Sequence, residues 1–292
     1  MTDRPLVLSN PRSERVRQVA ALGRRAARER SGRFLVEGPQ AVRELLRYAP
    51  EAVEQVYLTE AAAHRHPGLL PDRGHASPPT GDTVRPRPAT RPAPDRGHGP
   101  RLAWCTEQVI SAMADTGAPQ GVVAVAQKVD VPLAQALDAV GVAGFVVVLT
   151  HVRDPGNAGT VLRGADAFGA SAVLVSDASV DVYNPKVVRA TVGSLFHLPV
   201  SVGTPVPELL RACRERGIRL LAADGAGGTA LPDVDLAGAH AWVMGNEAWG
   251  LEPEVLALCD AAVSIPIQRA ESLNLAMAAT VCLHASGSVR EQ

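Results

Sequence analysis

The sequence predicts an α/β protein in two parts, a small α/β domain followed by a larger one built on a parallel sheet. Three observations carry that expectation. The chain has 292 residues, 46% of them hydrophobic, enough to bury two modest cores. From Gly144 onward, short continuous apolar runs alternate with helical patterns, as strands covered on both faces by helices do. Between Pro71 and Arg101 the composition breaks sharply, interrupting an earlier set of short elements.

The first element in chain order is basic. Between Arg12 and Arg33 lie Arg15, Arg17, Arg24, Arg25, Arg28 and Arg30 against only Glu14 and Glu29, while Val16, Val19, Ala20 and Leu22 recur near helical spacing. This predicts an amphipathic helix in an N-terminal extension over residues 1–30, with an arginine-rich outer face suited to phosphates. A solvated helix in a chain that favours arginine, with only two lysines, is the plain alternative.

Residues 31–130 read as the small domain. "GRFLVEG", "EQVYLT", "RLAWCT" and "GVVAVAQ" have strand character, while "PQAVRELLRY", opened by proline at its first turn, and "EQVISAMAD" are helical. The interruption, residues 71–101, is rich in proline, glycine and charge, nearly free of large apolar residues, and repeats "PDRGH" at Pro71 and Pro94. Such a segment buries too little surface to offset its ordering entropy and is expected to be a disordered insertion. Residues 131–143 read as a linker.

In residues 144–292 the strands are "GFVVVLT", "SAVLVS", "LPVSV", "IRLLAAD", "AWVMG" and "AAVSIPI". Helices are expected after the first strand, near "NPKVVRATVG", over "VPELLRACRERG" and from about Asn274 onward. In such sheets ligands bind outside the carboxyl ends of the strands, so the loops there carry the functional question.

Several classes are excluded or disfavoured. No segment approaches the roughly 18 consecutive apolar residues of a membrane span, and "MTDRPLVLSNPRSERVRQ" lacks the apolar core of a secretion signal, which places the chain in the cytoplasm. Cys105, Cys213, Cys259 and Cys282 are scattered without metal-ligand spacing, so buried thiols and no metal are expected. A net charge of −1 argues against a uniformly basic nucleic-acid binder but not against a local basic face. The loop "DPGNAGTVLRGADAFG" has neither the Walker nor the Rossmann spacing, which disfavours an ATP or nicotinamide enzyme.

That loop instead supplies Asn157 near a helix start and Arg163 further in, an arginine suited to gripping a phosphate in the same cleft. An Asn157 N-cap and an ordinary exposed arginine would read the same way. "WVMGNEAWGLEPEV" ends a strand in Gly245, Asn246 and Glu247, where glycine admits close backbone approach and Glu247 can accept hydrogen bonds. "SIPIQRAESLNLAMAATVCLH" ends another in Ile265, Pro266 and Ile267, with Ser272 and Asn274 opening a helix, either of which would serve as an N-cap. Three polar loops at strand ends on one sheet point to a site.

Taken in order, Asn157-x-Gly159-x-x-x-Arg163, "MGNEAWGL" and "IPIQRAESLNLAMAA" resemble the three motifs of the SpoU branch of the SPOUT RNA methyltransferases. "GRFLVEGPQAVREL" is similar to the start of the ribosomal-protein-like substrate-binding domain that precedes many of these enzymes, although the proline-rich insertion departs from its compact form. The resemblance implies a homodimer that transfers methyl from S-adenosylmethionine to a ribose 2′-hydroxyl of RNA, with the cofactor in a C-terminal trefoil knot. It implies that Ala223, Gly245, Ile265 and Leu273 line the cofactor pocket and that Asn157, Arg163, Glu247, Ser272 and Asn274 form the catalytic constellation. The family's usual proton acceptor falls on Arg163. A guanidinium stays protonated at neutral pH, so clamping a phosphate and stabilising the developing alkoxide is the physically cheaper role. Ribosomal RNA is the expected substrate. A transfer-RNA methyltransferase, a resistance enzyme with the same chemistry, and a non-catalytic RNA-binding or ribosome assembly factor are the alternatives.

Overall fold

The structure is a computed structural model describing residues 7–70 and 101–290. The expected disordered insertion lies outside the described residues except for Arg101. The chain divides into two units, Met1–Val129 with Tyr183–His197, and Asp130–Val182 with Leu198–Gln292.

The strands of the first unit are β1 (Val7–Leu8), β2 (Arg33–Glu37), β3 (Val53–Leu58), β4 (Arg101–Cys105) and β5 (Val122–Gln127), and its first helices are α1 (Glu14–Ala20), α2 (Arg25–Ser31), α3 (Pro39–Tyr48), α4 (Glu60–Arg65) and α5 (Glu107–Met113). The sheet has the order β1-β4-β3-β5-β2, with β1 and β3 parallel to β4 and β5 antiparallel to β3 and β2. On one face Val16, Val19 and Leu22 pack with Leu35, Tyr57, Val109, Ile110, Met113, Val123 and Val125. The stretch expected as an extension therefore supplies core. It is also not one helix. A 3-10 turn at Ala21–Gly23 and an extended Arg24 break it, and the buried Arg28, rather than facing outward, donates from Nη1 to the carbonyls of Leu22 and Gly23 that the break leaves open.

The second difference lies at Tyr183–His197, which contains α8 (Pro185–Thr191) and belongs to the first unit although the sequence sets it among the elements of the later sheet. Phe34 meets Tyr183 and Phe196 with ring centroids 4.6 and 6.4 Å apart. Arg189 pairs with Asp115 at 2.9 Å and with the buried Glu37 at 3.4 Å. Hydrophobic periodicity reports that a helix is half-buried but not which sheet it covers.

The second unit holds α6 (Leu133–Asp138), β6 (Phe145–Leu149), α7 (Pro155–Ala167), β7 (Ala172–Ser176), β8 (Val200–Thr204), α9 (Val206–Glu215), β9 (Arg219–Ala223), β10 (Thr229–Ala230), β11 (His240–Met244), α10 (Pro253–Leu256), β12 (Ala261–Ser264) and α11 (Leu275–Arg290). Its seven strands are all parallel in the order β10-β12-β9-β11-β6-β7-β8. The expected linker is not a linker, since Val131, Ala136 and Leu137 join the core with Val146, Val148, Leu209, Leu210, Ala241 and Val243. Helices α7 and α11 pack on each other and cover the opposite face.

The α11 helix is anchored there by a buried polar triad. Trp242 Nε1 donates to Ser286 Oγ at 2.8 Å, and His240 Nε2 lies 2.7 Å from the same oxygen. His240 Nδ1 lies 2.7 Å from the Gly238 carbonyl, which can only accept. Nδ1 therefore carries a proton, and the Ser286 hydroxyl receives from Trp242 while sharing a hydrogen bond with His240 Nε2. All four cysteines are free, and burial pushes the Cys213 and Cys282 thiols up to about 12 and those of Cys105 and Cys259 to about 11. No helix among the described residues is long and apolar enough to cross a membrane.

Ser286→Ala takes from the buried Trp242 N–H and from His240 Nε2 the hydroxyl they share, which is expected to cost about 1–3 kcal/mol. Chemical denaturation checks this, and an unchanged midpoint and slope would refute the triad.

Candidate functional site

At the carboxyl ends of β9, β11 and β12 the second unit opens into a cleft of about 500 Å³, within the range of small-molecule sites of roughly 300–1,000 Å³. Ala223, Gly245, Ile265 and Leu273 all line it, with Met244, Leu251 and Val263 as further apolar wall. Gly245 is required by space. A Cβ there would fall on the backbone of Gly250 and Leu251, because the turn after β11 folds back on the strand end. The turn is closed by Asn246 N donating to Gly250 O at 2.8 Å and Gly250 N donating to Asn246 O at 2.9 Å.

Beside this cleft three loops are joined by one hydrogen-bond network. Glu247 accepts from the backbone N–H of Arg153 (3.2 Å) and Asp154 (3.0 Å) and from Asn157 Nδ2 (3.2 Å). Asn157 Oδ1 in turn accepts from Asn274 Nδ2 at 3.0 Å. Asn274 also caps α11, its Oδ1 receiving the N–H of Ala276 at 2.9 Å. The cap of α7 is Asp154, whose side chain accepts from Asn157 N at 2.7 Å, so the Asn157 side chain is not used as an N-cap. Asn274 is thus an N-cap that also bonds Asn157, whereas Ser272 lines the cleft, exposed and without a hydrogen bond among the described residues.

Arg163 is placed differently. Six residues on from Asn157, it lies about 240° around the helix and about 9 Å along it. It is exposed, it makes no hydrogen bond or ion pair among the described residues, and it is not part of the cleft wall. The arrangement therefore offers a walled cleft, a fixed polar network and, apart from both, a free guanidinium.

Sequence reasoning passed over two features here. Asn246, buried after Gly245, donates from Nδ2 to the carbonyl of His151 at 2.7 Å, and His151 holds a left-handed backbone (φ 52°) with its N–H on Ser176 Oγ at 3.0 Å. In "GNE" the sequence singles out Gly245 and Glu247 alone. The Arg153 guanidinium lies 5.1 Å from the ring centroid of Trp249 at the cleft's edge, and an exposed tryptophan is the signal that would have found it.

A second concavity, of about 600 Å³, lies in the first unit. Arg15, Arg30, Arg33 and Arg101 line it against the single acid Glu54, which pairs with Arg33 at 2.9 Å. Arg15 is braced by Tyr57 Oη at 3.0 Å and Gln55 Oε1 at 2.7 Å. No group of three or more metal-ligating side chains occurs among the described residues.

Residues 144–284 match the SpoU rRNA Methylase family, and residues 13–124 match an MRM3-like substrate binding domain. The 23S rRNA (guanosine(2553)-2′-O)-methyltransferase RlmP of Bacillus subtilis is 27% identical over 278 residues, 95% of this chain and 97% of its own. A 23S rRNA (uridine(2479)-2′-O)-methyltransferase of Streptomyces viridochromogenes is 42% identical over 144 residues, 47% of this chain and 50% of its own. Among solved structures, an AdoMet-bound rRNA methyltransferase from Sinorhizobium meliloti superposes with a TM-score of 0.78 at 26% identity, covering 97% of this chain and 98% of that one.

Asn157→Ala removes the donor to Glu247 and the acceptor of Asn274 together. Hydrogen exchange is expected to quicken at residues 245–250 and 274–277 without a change in the α9 amides; unchanged exchange in both loops would mean the network does not hold them.

Proposed function

We propose that this chain, a member of the SpoU rRNA Methylase family through residues 144–284, transfers a methyl group from S-adenosylmethionine to a ribose 2′-hydroxyl of ribosomal RNA. The observation that carries the reading is the convergence, at four strand ends of one parallel sheet, of the cleft around Gly245 with the Glu247–Asn157–Asn274 network. The relatives' names as 23S rRNA 2′-O-methyltransferases and the AdoMet-bound neighbour support it.

The cleft fits the cofactor. Residues 244–251 line the cleft where a flat ring would sit, and Ile265 and Leu273 supply apolar walls. Bound there, S-adenosylmethionine supplies a methyl group already activated by its sulfonium. The protein's part is alignment and charge. Glu247, Asn157 and Asn274 fix the loops that the ribose meets, and Ser272 offers a free hydroxyl in the cleft. Arg163 carries donors only and stands on α7 outside the cleft wall, so its role is to clamp an RNA phosphate and hold the ribose toward the cleft, while the hydroxyl proton passes to solvent. In the first unit, matched by the substrate binding domain, Arg15, Arg30, Arg33 and Arg101 supply phosphate contacts.

The reading extends to assembly and place. Met277, Val281 and Val289 are exposed apolar residues on α11, a face that a second copy would cover in a homodimer. The chain crosses from β11 past β9 to β12 and returns as α11 over β11 and β9, a path compatible with a trefoil knot. A ribosomal RNA substrate is compatible with work in the cytoplasm, the location adopted in this reading.

Incubation with labelled S-adenosylmethionine and unmodified ribosomal or transfer RNA tests the reaction, since a methylated 2′-hydroxyl makes the adjacent bond resist alkali. Label on one ribose of ribosomal RNA is expected, with Arg163→Ala reducing it at least a hundredfold while cofactor binding is kept. Near-normal transfer by Arg163→Ala would remove that residue from the mechanism, and cofactor binding with no label on either RNA would count against turnover on these substrates. Light scattering is expected to give twice the monomer mass of 30.5 kDa; a clean monomer would overturn the dimer.

A further inference from the structure

Trp249 is the one aromatic among the exposed large hydrophobic side chains of the described residues, at 49% exposure. The chain is poor in aromatics, with 3 tryptophans, 3 tyrosines and 4 phenylalanines in 292 residues. Phe34, Tyr57, Phe145, Tyr183, Phe196 and Trp242 are buried, so leaving an indole in water beside the candidate site is an exception. Its place in the fold is fixed. It sits on the turn closed by the paired Asn246 and Gly250 hydrogen bonds, where Gly250 adopts φ 71° and Asn246 Oδ1 holds the N–H of Ala248 at 2.8 Å. The Arg153 guanidinium stands over the ring with its carbon 5.1 Å from the centroid, and the Arg153 backbone N–H is bonded to Glu247 Oε2 at 3.2 Å. Ring, guanidinium and the carboxylate of the network are thus tied to one another. The indole N–H has no hydrogen-bond partner among the described residues.

We propose that Trp249, backed by Arg153, is a stacking platform for an unpaired RNA base at or beside the ribose that receives the methyl group, an inference that rests on the methyl-transfer reading above. Unpaired bases are recognised by stacking on aromatic rings and guanidinium planes, which tolerate any base identity. The arginine covers one part of the indole, polarises it and leaves the remainder open. A base seated there would lie at the mouth of the cleft, whereas the deeper wall is made by the buried Met244 and Val263. The platform would hold the nucleotide without reading its sequence. Choice of target would then come from RNA shape and from contacts elsewhere.

The test compares wild type, Trp249→Ala and Trp249→Phe on an unmodified 23S rRNA transcript. Trp249→Ala is expected to raise KM for the transcript roughly ten- to hundredfold, with the dissociation constant for S-adenosylmethionine unchanged by calorimetry. Trp249→Phe is expected to restore most of the loss. Wild-type KM and kcat in Trp249→Ala would overturn the proposal, as would a matching loss of cofactor affinity, which would make the indole a wall of the cofactor cleft instead. Tryptophan emission separates this from the wider reading. Titration with the transcript is expected to quench wild type, and the quench should be lost in Trp249→Phe, which keeps Trp104 and Trp242. If no RNA is methylated by wild type, methyl transfer falls, but the quench still decides the platform, and its absence overturns it.

Discussion

The carboxyl edge of the seven-stranded sheet depends on Glu247. Its two oxygens collect N–H donors from Arg153, Asp154 and Asn157, and Asn157 passes the constraint on to Asn274. Hydrogen bonds to a carboxylate are stronger than neutral ones, but these are exposed, and water weakens each of them. What makes them effective is that their loops are already held at the ends of neighbouring strands. Parallel pairing of β6 with β11 sets Leu149 opposite Met244, and Thr150 then donates from both its N–H and its hydroxyl to the Met244 carbonyl, at 2.9 and 2.8 Å. The network therefore spends little entropy on bringing its members together.

Strand β11 and helix α11 are also tied to each other. Strand β11 runs from His240 to Met244, and α11 runs back across it. Near the helix start Asn274 is bound into the Glu247 network, and toward its end Ser286 is bound to His240 and Trp242. A helix fastened at both ends cannot slide along the sheet without breaking a buried triad, which is the costlier of the two fastenings. Cleft geometry at Leu273 and Ser272, just ahead of that helix, is in this sense set from the far side of the sheet. Gly245 completes the arrangement, because only a residue without Cβ lets the 245–251 turn close against the strand end.

Much of this was legible in the sequence. Continuous apolar runs such as "GFVVVLT" and "IRLLAAD" became central parallel strands, and the loops at their ends carry the polar residues singled out there, because burial on both faces leaves an unambiguous pattern. What was not legible depends on contacts distant along the chain. The segment around Arg189 has the periodicity of any half-buried helix, and only the fold sends it to Glu37 and Asp115. The basic stretch from Arg12 looked like one helix because propensity rates Arg and Ala highly, while the break at Gly23 is stabilised by Arg28 reaching back to carbonyls. Arg163 and Asn157 share a motif but not a helix face, and spacing read loosely put them in one cleft.

Arginine rather than lysine is the chain's cation, and the structure uses what distinguishes the two. Of 29 basic residues only Lys128 and Lys186 are lysines. Arg28 satisfies two carbonyls from inside the protein, Arg15 and Arg153 stand over aromatic rings, and Arg189 forks to two carboxylates, geometries that the planar guanidinium suits better than an ammonium. Each use depends on the planar guanidinium, and the net charge stays at −1 because 30 Asp and Glu offset the 29 Lys and Arg. For an anionic polymer the net value matters little, since screening confines its influence to about 8 Å at physiological ionic strength. The relevant charge is that left over locally, at Arg15, Arg30, Arg33 and Arg101 around one concavity and at Arg163 on α7, and there the balance is positive. Binding and chemistry would then draw on separate sets of arginines, with phosphate affinity adjustable in the first unit without disturbing the alignment that Glu247 maintains in the second.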